Sequence, residues 1–123
     1  MRYTELPHRL RVDLPLIYMW EIRASDGSLL GRYVGRAKGG VKRPRTHYST
    51  NVGRILAGKP YRKGNPSGYR RIHSALAEAE CRGFCITLQF LCNVLPGENI
   101  NEVEQRCIRE YRSKGGETWQ LNG

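Results

Sequence analysis

The sequence predicts an α+β domain in which helices pack against a small sheet that begins with an antiparallel hairpin. Three short segments have the apolar alternation of strands, and three longer segments repeat their apolar residues at helical spacing. These segments follow one another in the order strand, strand, helix, helix, strand, helix. A chain of 123 residues has room for one modest core, so we expect residues 1–123 to form a single domain.

The hairpin follows a polar, basic lead-in that covers residues 1–13 and shows no clear periodicity. Its first strand is predicted at Leu16–Ile22, where alternate residues form one large apolar face: Leu16, Tyr18, Trp20 and Ile22. The turn is predicted at Asp26-Gly27, because this dipeptide favours the backbone angles of a tight hairpin. The returning strand is predicted at Leu29–Gly35, so each of the two paired strands carries a tyrosine.

Three helices and one strand complete the predicted fold. The first helix is expected to begin near Pro44, since proline is tolerated in a first turn, and a basic Gly/Pro-rich loop at 57–68 follows it. The apolar stripe of the second helix consists of Tyr69, Ile72, Leu76 and Ala79. Off that stripe lie the polar residues Arg70, Arg71 and His73. A strand is predicted at Phe84–Cys92 and a third helix at Ile100–Arg112.

The charge of the chain indicates its class of partner. Basic residues outnumber acidic ones by 21 to 11, which gives a formal net charge of +10. Such an excess favours nucleic acid over an anionic membrane surface. No apolar run approaches the roughly 18 residues of a membrane helix, and the polar N-terminus does not resemble a secretory signal. We therefore expect a cytoplasmic, nucleic-acid-binding protein with no membrane role.

The four cysteines are Cys81, Cys85, Cys92 and Cys107. Their spacing lacks the paired short intervals of a zinc ribbon or a zinc finger. We expect reduced thiols that behave as small hydrophobic residues of an intracellular core, and zinc binding is the alternative.

Glu104 interrupts the apolar stripe of the third helix, because Ile100, Glu104 and Ile108 fall on one line of that helix. A carboxylate that faces inward is costly unless it is compensated, and a bound cation is one form of compensation. The alternative is a capping box in which Asn101 is the N-cap and Glu104 occupies the third helical position. The pattern leaves both interpretations open.

A second candidate site lies around the hairpin and the start of the first helix. Arg43 and His47 are four residues apart, which predicts either a phosphate site or a solvated basic face. Tyr18 and Tyr33 predict either cross-strand packing or phenols that act as acid or base beside cations. The nearby cations in the sequence are Arg36, Lys38 and Lys42.

The hairpin residues resemble the GIY-YIG nuclease family. Leu16-Ile17-Tyr18 stands where the family has GIY, with leucine in place of the glycine, and Tyr33-Val34-Gly35 stands where it has YIG. Arg43 takes the position of the family arginine, and His47 follows where the family often has histidine or tyrosine. The likeness is locally closest to the nuclease domain of the bacterial nucleotide-excision repair endonucleases.

The resemblance continues downstream and covers about residues 14–122. The segment EVEQRCIREY is similar to the helix that carries the metal-binding glutamate of the family, which maps to Glu104. The terminal LNG supplies a late catalytic asparagine as Asn122. The family implies a three-stranded antiparallel sheet flanked by three helices, and hydrolysis of DNA with one Mg²⁺ or Mn²⁺ ion that leaves 5′-phosphate and 3′-hydroxyl ends.

The resemblance also implies a role for each residue of the site. Tyr18 would be the general base for the attacking water or would position it, and Tyr33 would form a hydrogen bond to the phosphate or assist the proton transfer. Arg36 would lower the pKa of Tyr18 and bind phosphate, while Arg43 would stabilise the charge of the transition state. His47 would contact phosphate or relay protons.

The predicted DNA-binding surface consists of Lys38, Lys42, Lys59, Arg62, Lys63, Arg70 and Arg71. We expect no additional DNA-binding domain, so a homodimer or a separate partner protein would contribute to specificity. A phage, a mobile element or a repair pathway would suit such a small nuclease. One alternative function is a non-catalytic nucleic-acid-binding module on the same scaffold. Another is an RNA-binding or protein-interaction domain that does not depend on metal.

Overall fold

The computed structural model of the chain describes residues 1–62, 64–65 and 67–123. Within these residues the strands are β1 (Thr4–Glu5), β2 (Leu16–Arg23), β3 (Leu29–Ala37) and β4 (Cys85–Asn93). The helices are α1 (Lys42–Leu56), α2 (Arg71–Arg82) and α3 (Ile100–Tyr111). The predicted α+β class and the order of the longer elements are confirmed.

The sheet is mixed and has four strands in the order β1-β4-β2-β3. The three longer strands pair antiparallel. The prediction of a purely antiparallel three-stranded sheet is wrong because Thr4 and Glu5, in the lead-in, pair parallel to Thr87 and Leu88 of β4. A strand of two residues is too short to show the alternation from which strands are recognised.

Both faces of the sheet are covered, and the alternation along β2 separates them as predicted. Tyr18 and Trp20 belong to the core beneath α1 and α2, together with Tyr48 and Leu76. Ile17 and Met19 point to the other face, where α3 contributes Val103, Cys107 and Ile108. Burial of such side chains stabilises the fold by about 1.5–3 kcal/mol each. In the described part of the chain, no helix has both the length and the apolar character needed to span a bilayer.

The first helix begins two residues before the predicted Pro44, at Lys42. Pro44 therefore lies inside the first turn, where its missing N–H has no helical partner to lose. This start places Arg43 and His47 on one helix, so their spacing of four residues is helical.

The C-terminal segment covers the outer edge of the sheet along β3. The Arg32 N–H donates to the Trp119 carbonyl at 2.8 Å, and the Leu121 N–H donates to the Arg32 carbonyl at 3.0 Å. The Asn122 amide then pairs with both backbone groups of Val34, each at 2.8 Å. This pairing gives hydrogen-bond partners to backbone N–H and C=O groups that an edge strand otherwise leaves unpaired. Asn122, predicted to be catalytic, therefore contacts the edge of β3 and does not line the cleft described below.

We expect Asn122→Ala to lower the free energy of unfolding by about 1–3 kcal/mol, because it leaves two partly buried backbone groups of Val34 without partners. Urea unfolding measures this loss, and Gln105→Ala, on an exposed position of α3, serves as the control with little effect. If cleavage by the folded variant also fell by a hundredfold or more, Asn122 would have a role in the site as well.

Candidate active site

A cleft of about 550 Å³ opens beside the hairpin. It is lined by Tyr18, Tyr33, Arg36, Lys38, Gly39, Arg43, Arg70 and Glu104. These residues come from β2, β3, the loop after β3, α1, α3 and the residue before α2, so the fold brings together five predicted catalytic residues. Of the remaining two, His47 lies in an adjoining groove with Lys42 and Arg43, and Asn122 lies elsewhere.

The two predicted tyrosines are diagonal neighbours across the hairpin. Tyr18 pairs with Gly35 and Trp20 pairs with Tyr33, so both phenols project from the same face of the sheet, two residues apart. The Tyr18 ring lies directly over Gly35. A Cβ atom added at Gly35 would be 2.5 Å from the Tyr18 ring. The glycine of the YVG motif is thus required by the close approach of a side chain to the backbone.

Tyr48 of α1 is a site residue that the sequence pattern did not reveal. Its hydroxyl forms a hydrogen bond with the Tyr18 hydroxyl, and its side chain is fully buried. The Tyr48 ring also packs edge-on against Trp20, with ring centroids 5.4 Å apart. In the sequence Tyr48 shares an apolar helical stripe with Val52, so it could not be distinguished from a core residue.

Arg70, at the N-cap of α2, is the cation that contacts the tyrosines. One terminal nitrogen donates to the Tyr33 hydroxyl at 2.7 Å, and the other donates to the Tyr48 hydroxyl at 3.3 Å. The sequence placed Arg70 only on the DNA-binding surface. Arg36, which was expected to act on Tyr18, instead forms a hydrogen bond with the Asn101 side chain and lies beside Glu104.

Burial makes both cleft phenols harder to ionise than an ordinary tyrosine. It raises the pKa of Tyr18 well above its ordinary value of about 10, and the neighbouring Tyr48 raises it further. Burial and Tyr48 likewise raise the pKa of Tyr33, to about 12. Arg70 opposes both increases. The Arg70 guanidinium is thus the main charge in the cleft that favours ionised tyrosine.

Glu104 faces the cleft and does not cap its helix. The N-cap of α3 is Asn99, whose side chain accepts hydrogen bonds from the N–H groups of Asn101 and Glu102, so the capping box proposed from Asn101 is wrong. The Glu104 side chain is only 15% exposed, and its nearest cation is Arg36 at 3.7 Å. Burial raises the pKa of this carboxyl, and the charge of Arg36 lowers it in part.

The carboxylate of Glu104 fits a single hard cation. Among the described residues no side-chain or backbone group donates a hydrogen bond to it, so its oxygens remain available to a ligand in the cleft. Mg²⁺ commonly binds through one or two carboxylates together with substrate phosphates and water. Over the same described part of the chain, no cluster of three His, Cys, Asp or Glu side chains exists, which gives the zinc alternative no ligand set. The four thiols are free, but the expected core position is wrong for Cys81 and Cys85, which are exposed.

Arg43 and Arg45 lie on α1 but differ in their partners. Arg45 forms two hydrogen bonds to the Glu5 carboxylate, both at 2.8 Å. Within the described residues the exposed Arg43 side chain has neither a hydrogen bond nor an ion pair, and it lines the cleft. A guanidinium in this state can form a paired interaction with phosphate oxygens.

Two histidines pack behind the tyrosines. The amide of Asn51 lies 3.2 Å from Nε2 of His47, and burial followed by the charge of Arg43 lowers the pKa of His47. His73, expected off the apolar stripe, is fully buried. The Arg70 N–H donates to its Nδ1 at 3.1 Å, which explains why an imidazole is accommodated there. Burial and Arg70 lower the pKa of His73 to about 4.

This buried imidazole predicts acid sensitivity. The pKa of His73 is about 4 in the fold, below its ordinary 6.5, so the unfolded chain binds the proton more readily. Stability should therefore fall as the pH falls from about 6.5 towards 4, with a loss of about 2 kcal/mol by pH 5. Urea unfolding at pH 7 and pH 5 should show a smaller difference for His73→Asn, which keeps an acceptor near Nδ1. An equal difference in both proteins would contradict this prediction.

The predicted basic loop is partly attached to the helices. Tyr69 donates to the Lys59 carbonyl at 3.0 Å, and Arg54 of α1 donates to the Pro60 carbonyl at 2.7 Å. Arg62 stacks over the Tyr61 ring, 4.9 Å from its centroid. The other predicted DNA-binding residues Lys42 and Arg71 are exposed. Lys63 lies outside the described residues.

Nothing matches this chain in comparisons with protein-family models, curated proteins and solved structures.

Proposed function

We propose that this protein is a GIY-YIG-type endonuclease that hydrolyses DNA phosphodiester bonds with one Mg²⁺ or Mn²⁺ ion. The observation that supports the proposal is one cleft that holds two phenols, the carboxylate of Glu104 and Arg43, which has no partner among the residues that the structure describes. Within the described residues, the Glu104 carboxylate accepts no hydrogen bond and faces a cleft that several cations line. Packing of the core gives no reason for this arrangement, whereas a binding site for a metal and a phosphate does.

The cations of the cleft suit a phosphodiester. Arg43 would hold the non-bridging oxygens and stabilise the added charge of the pentavalent transition state, which is the largest electrostatic requirement of phosphoryl transfer. Arg36 and Lys38 line the same space and would bind neighbouring phosphates. His47, in the adjoining groove, would contact phosphate along the same strand.

The phenols suit the activation and placement of water. Ionised Tyr18 would accept a proton from the water that attacks phosphorus, and Tyr33 would donate a hydrogen bond to the phosphate. Rupture of the P–O3′ bond would leave 5′-phosphate and 3′-hydroxyl ends. Since burial raises the pKa of Tyr18, the cleavage rate should rise with pH above neutrality.

Glu104 would hold the divalent ion. A bound cation polarises phosphoryl oxygens and stabilises negative charge that develops on them. One such cleft cuts one strand per encounter, so double-strand cleavage would require a homodimer, a partner protein or a second visit.

The basic surface around the cleft would supply affinity for DNA. If about six phosphates are neutralised, the logarithm of the binding constant should fall with the logarithm of salt concentration with a slope of about −5.

Cleavage of supercoiled plasmid tests the proposal. The protein should nick or linearise the plasmid with Mg²⁺ or Mn²⁺ but not with EDTA, and DNA ligase should reseal the nicks because their ends are 5′-phosphate and 3′-hydroxyl. Plasmid binding without cleavage under all metal conditions would support a non-catalytic binding module instead.

A further inference from the structure

We propose that Arg70 is a positioning residue that acts through Tyr48 to prepare Tyr18 for proton transfer in the cleft. The predicted effect on DNA cleavage rests on the proposed nuclease function. The predicted effect on the ionisation of Tyr18 does not, because it follows from the arrangement of three side chains in the free protein.

The three side chains form a continuous chain of hydrogen bonds. Arg70 donates to Tyr48 at 3.3 Å, and the Tyr48 hydroxyl is bonded to the Tyr18 hydroxyl. Arg70 also donates to Tyr33 at 2.7 Å, so one guanidinium contacts the hydroxyls of two of the three tyrosines. The central guanidinium carbon of Arg70, Cζ, lies 5.6 Å from the ring centroid of Tyr33 and 5.8 Å from that of Tyr48.

Both the backbone and the side chain of Arg70 have hydrogen-bond partners at the cleft. Its N–H donates to Nδ1 of buried His73, which holds the first turn of α2 against the tyrosines. The guanidinium itself is held at the cleft by its hydrogen bonds to the Tyr33 and Tyr48 hydroxyls. Such preorganised charge is more effective than a cation that must be ordered during the reaction.

A purely structural role would not require a cation. The hydroxyls of Tyr18 and Tyr48 already satisfy each other in a buried environment. A guanidinium beside them specifically favours the state in which the pair has lost a proton. The other charged or titratable groups that face this pair are Tyr33, Arg36, Arg43, His47, His73 and Glu104.

Tyr18 releases one proton to water in the cleft, and the remaining Tyr48 proton is shared between the two phenolic oxygens. The negative charge of the pair is offset by Arg70. During cleavage the Tyr18 oxygen takes a proton from the attacking water, and the departing O3′ oxygen takes a proton from solvent.

Fluorine NMR can measure this effect without DNA. Difluorotyrosine is placed at position 18, because its fluorine atoms lower the phenol pKa into an accessible range and report its ionisation. The titration is compared in the otherwise unchanged protein, in Arg70→Met and in Arg70→Lys. Arg82→Met, at the far end of α2, removes the same charge from an exposed site and serves as the control.

We expect Arg70→Met to shift the titration of the reporter upward by about 1–3 pH units, and Arg70→Lys to restore part of the shift. Arg82→Met should leave it unchanged, and the shift caused by Arg70→Met should be smaller in a Tyr48→Phe background, which lacks the connecting hydroxyl. Equal titrations in the Arg70 variants and the control would overturn the inference. A shift in a protein that never cleaves plasmid would support the role of Arg70 and reject the nuclease function.

Discussion

Glu104→Gln is expected to reduce metal-dependent cleavage by about a thousandfold or more. The substitution keeps the size of the side chain and removes the charge that would hold the metal. A metal ion contributes several kcal/mol of transition-state stabilisation, and each 1.4 kcal/mol corresponds to about a tenfold change in rate. The fold should survive, because the side chain is mostly buried and burial already disfavours its charged form.

Two further measurements make this result specific. Glu110→Gln removes a carboxylate from an exposed position of the same helix and should retain the original rate. Calorimetric titration with Mn²⁺ should show weaker binding for Glu104→Gln and unchanged binding for Glu110→Gln. A Glu104→Gln protein that cleaves at the original rate would reject the metal role of this residue.

The second large effect is expected at Arg43. Arg43→Met should lower the single-turnover rate at saturating DNA by about a thousandfold, as when a transition-state arginine is removed from a phosphoryl-transfer enzyme. Arg43→Lys should recover only part of the rate, because an ammonium cannot form the paired contacts of a guanidinium with phosphate. Stability should change little, since Arg43 is exposed and unpaired within the described residues.

Arg45→Met is the matched control for Arg43. Arg45 lies two positions away on α1, carries the same charge and is paired with Glu5. Its loss should cost about 1 kcal/mol or less of stability and leave the single-turnover rate unchanged. If both variants lost only DNA affinity, with the saturating rate intact, Arg43 would be a binding residue and not part of the chemistry.

The unequal success of the sequence predictions follows from how local each signal is. The two faces of β2 follow from a two-residue period, and the hairpin pairing follows from an Asp-Gly turn. Each of these signals can be recognised within a short segment of sequence. The inward direction of Glu104 was recognisable because a charge interrupts a helical stripe. Whether that charge served a cap or a cleft was undecided until Asn99 was found at the N-cap.

The errors concern features without a local period. The strand β1 has two residues and depends on its partner β4 for its hydrogen bonds. The edge contact of Asn122 with Val34 was likewise not foreseen, because the two residues are distant in sequence; the catalytic role of Asn122 stays a prediction. Helical position alone did not mark Tyr48 as a site residue, and it placed His73 off the apolar stripe although His73 is fully buried. Both lie at a polar cluster inside the core that no periodicity describes.

The sequence by itself determined the class of the fold, the strand faces and the residue types that a phosphodiester site would need. Only the tertiary structure decided which cation contacts which phenol, with Arg70 beside Tyr33 and Tyr48 and Arg36 beside Glu104. The physical reason is the distance along the chain over which each interaction acts. Backbone periodicity acts over a few residues, whereas the cleft joins side chains that are separated by tens of residues and meet only when helices pack on the sheet.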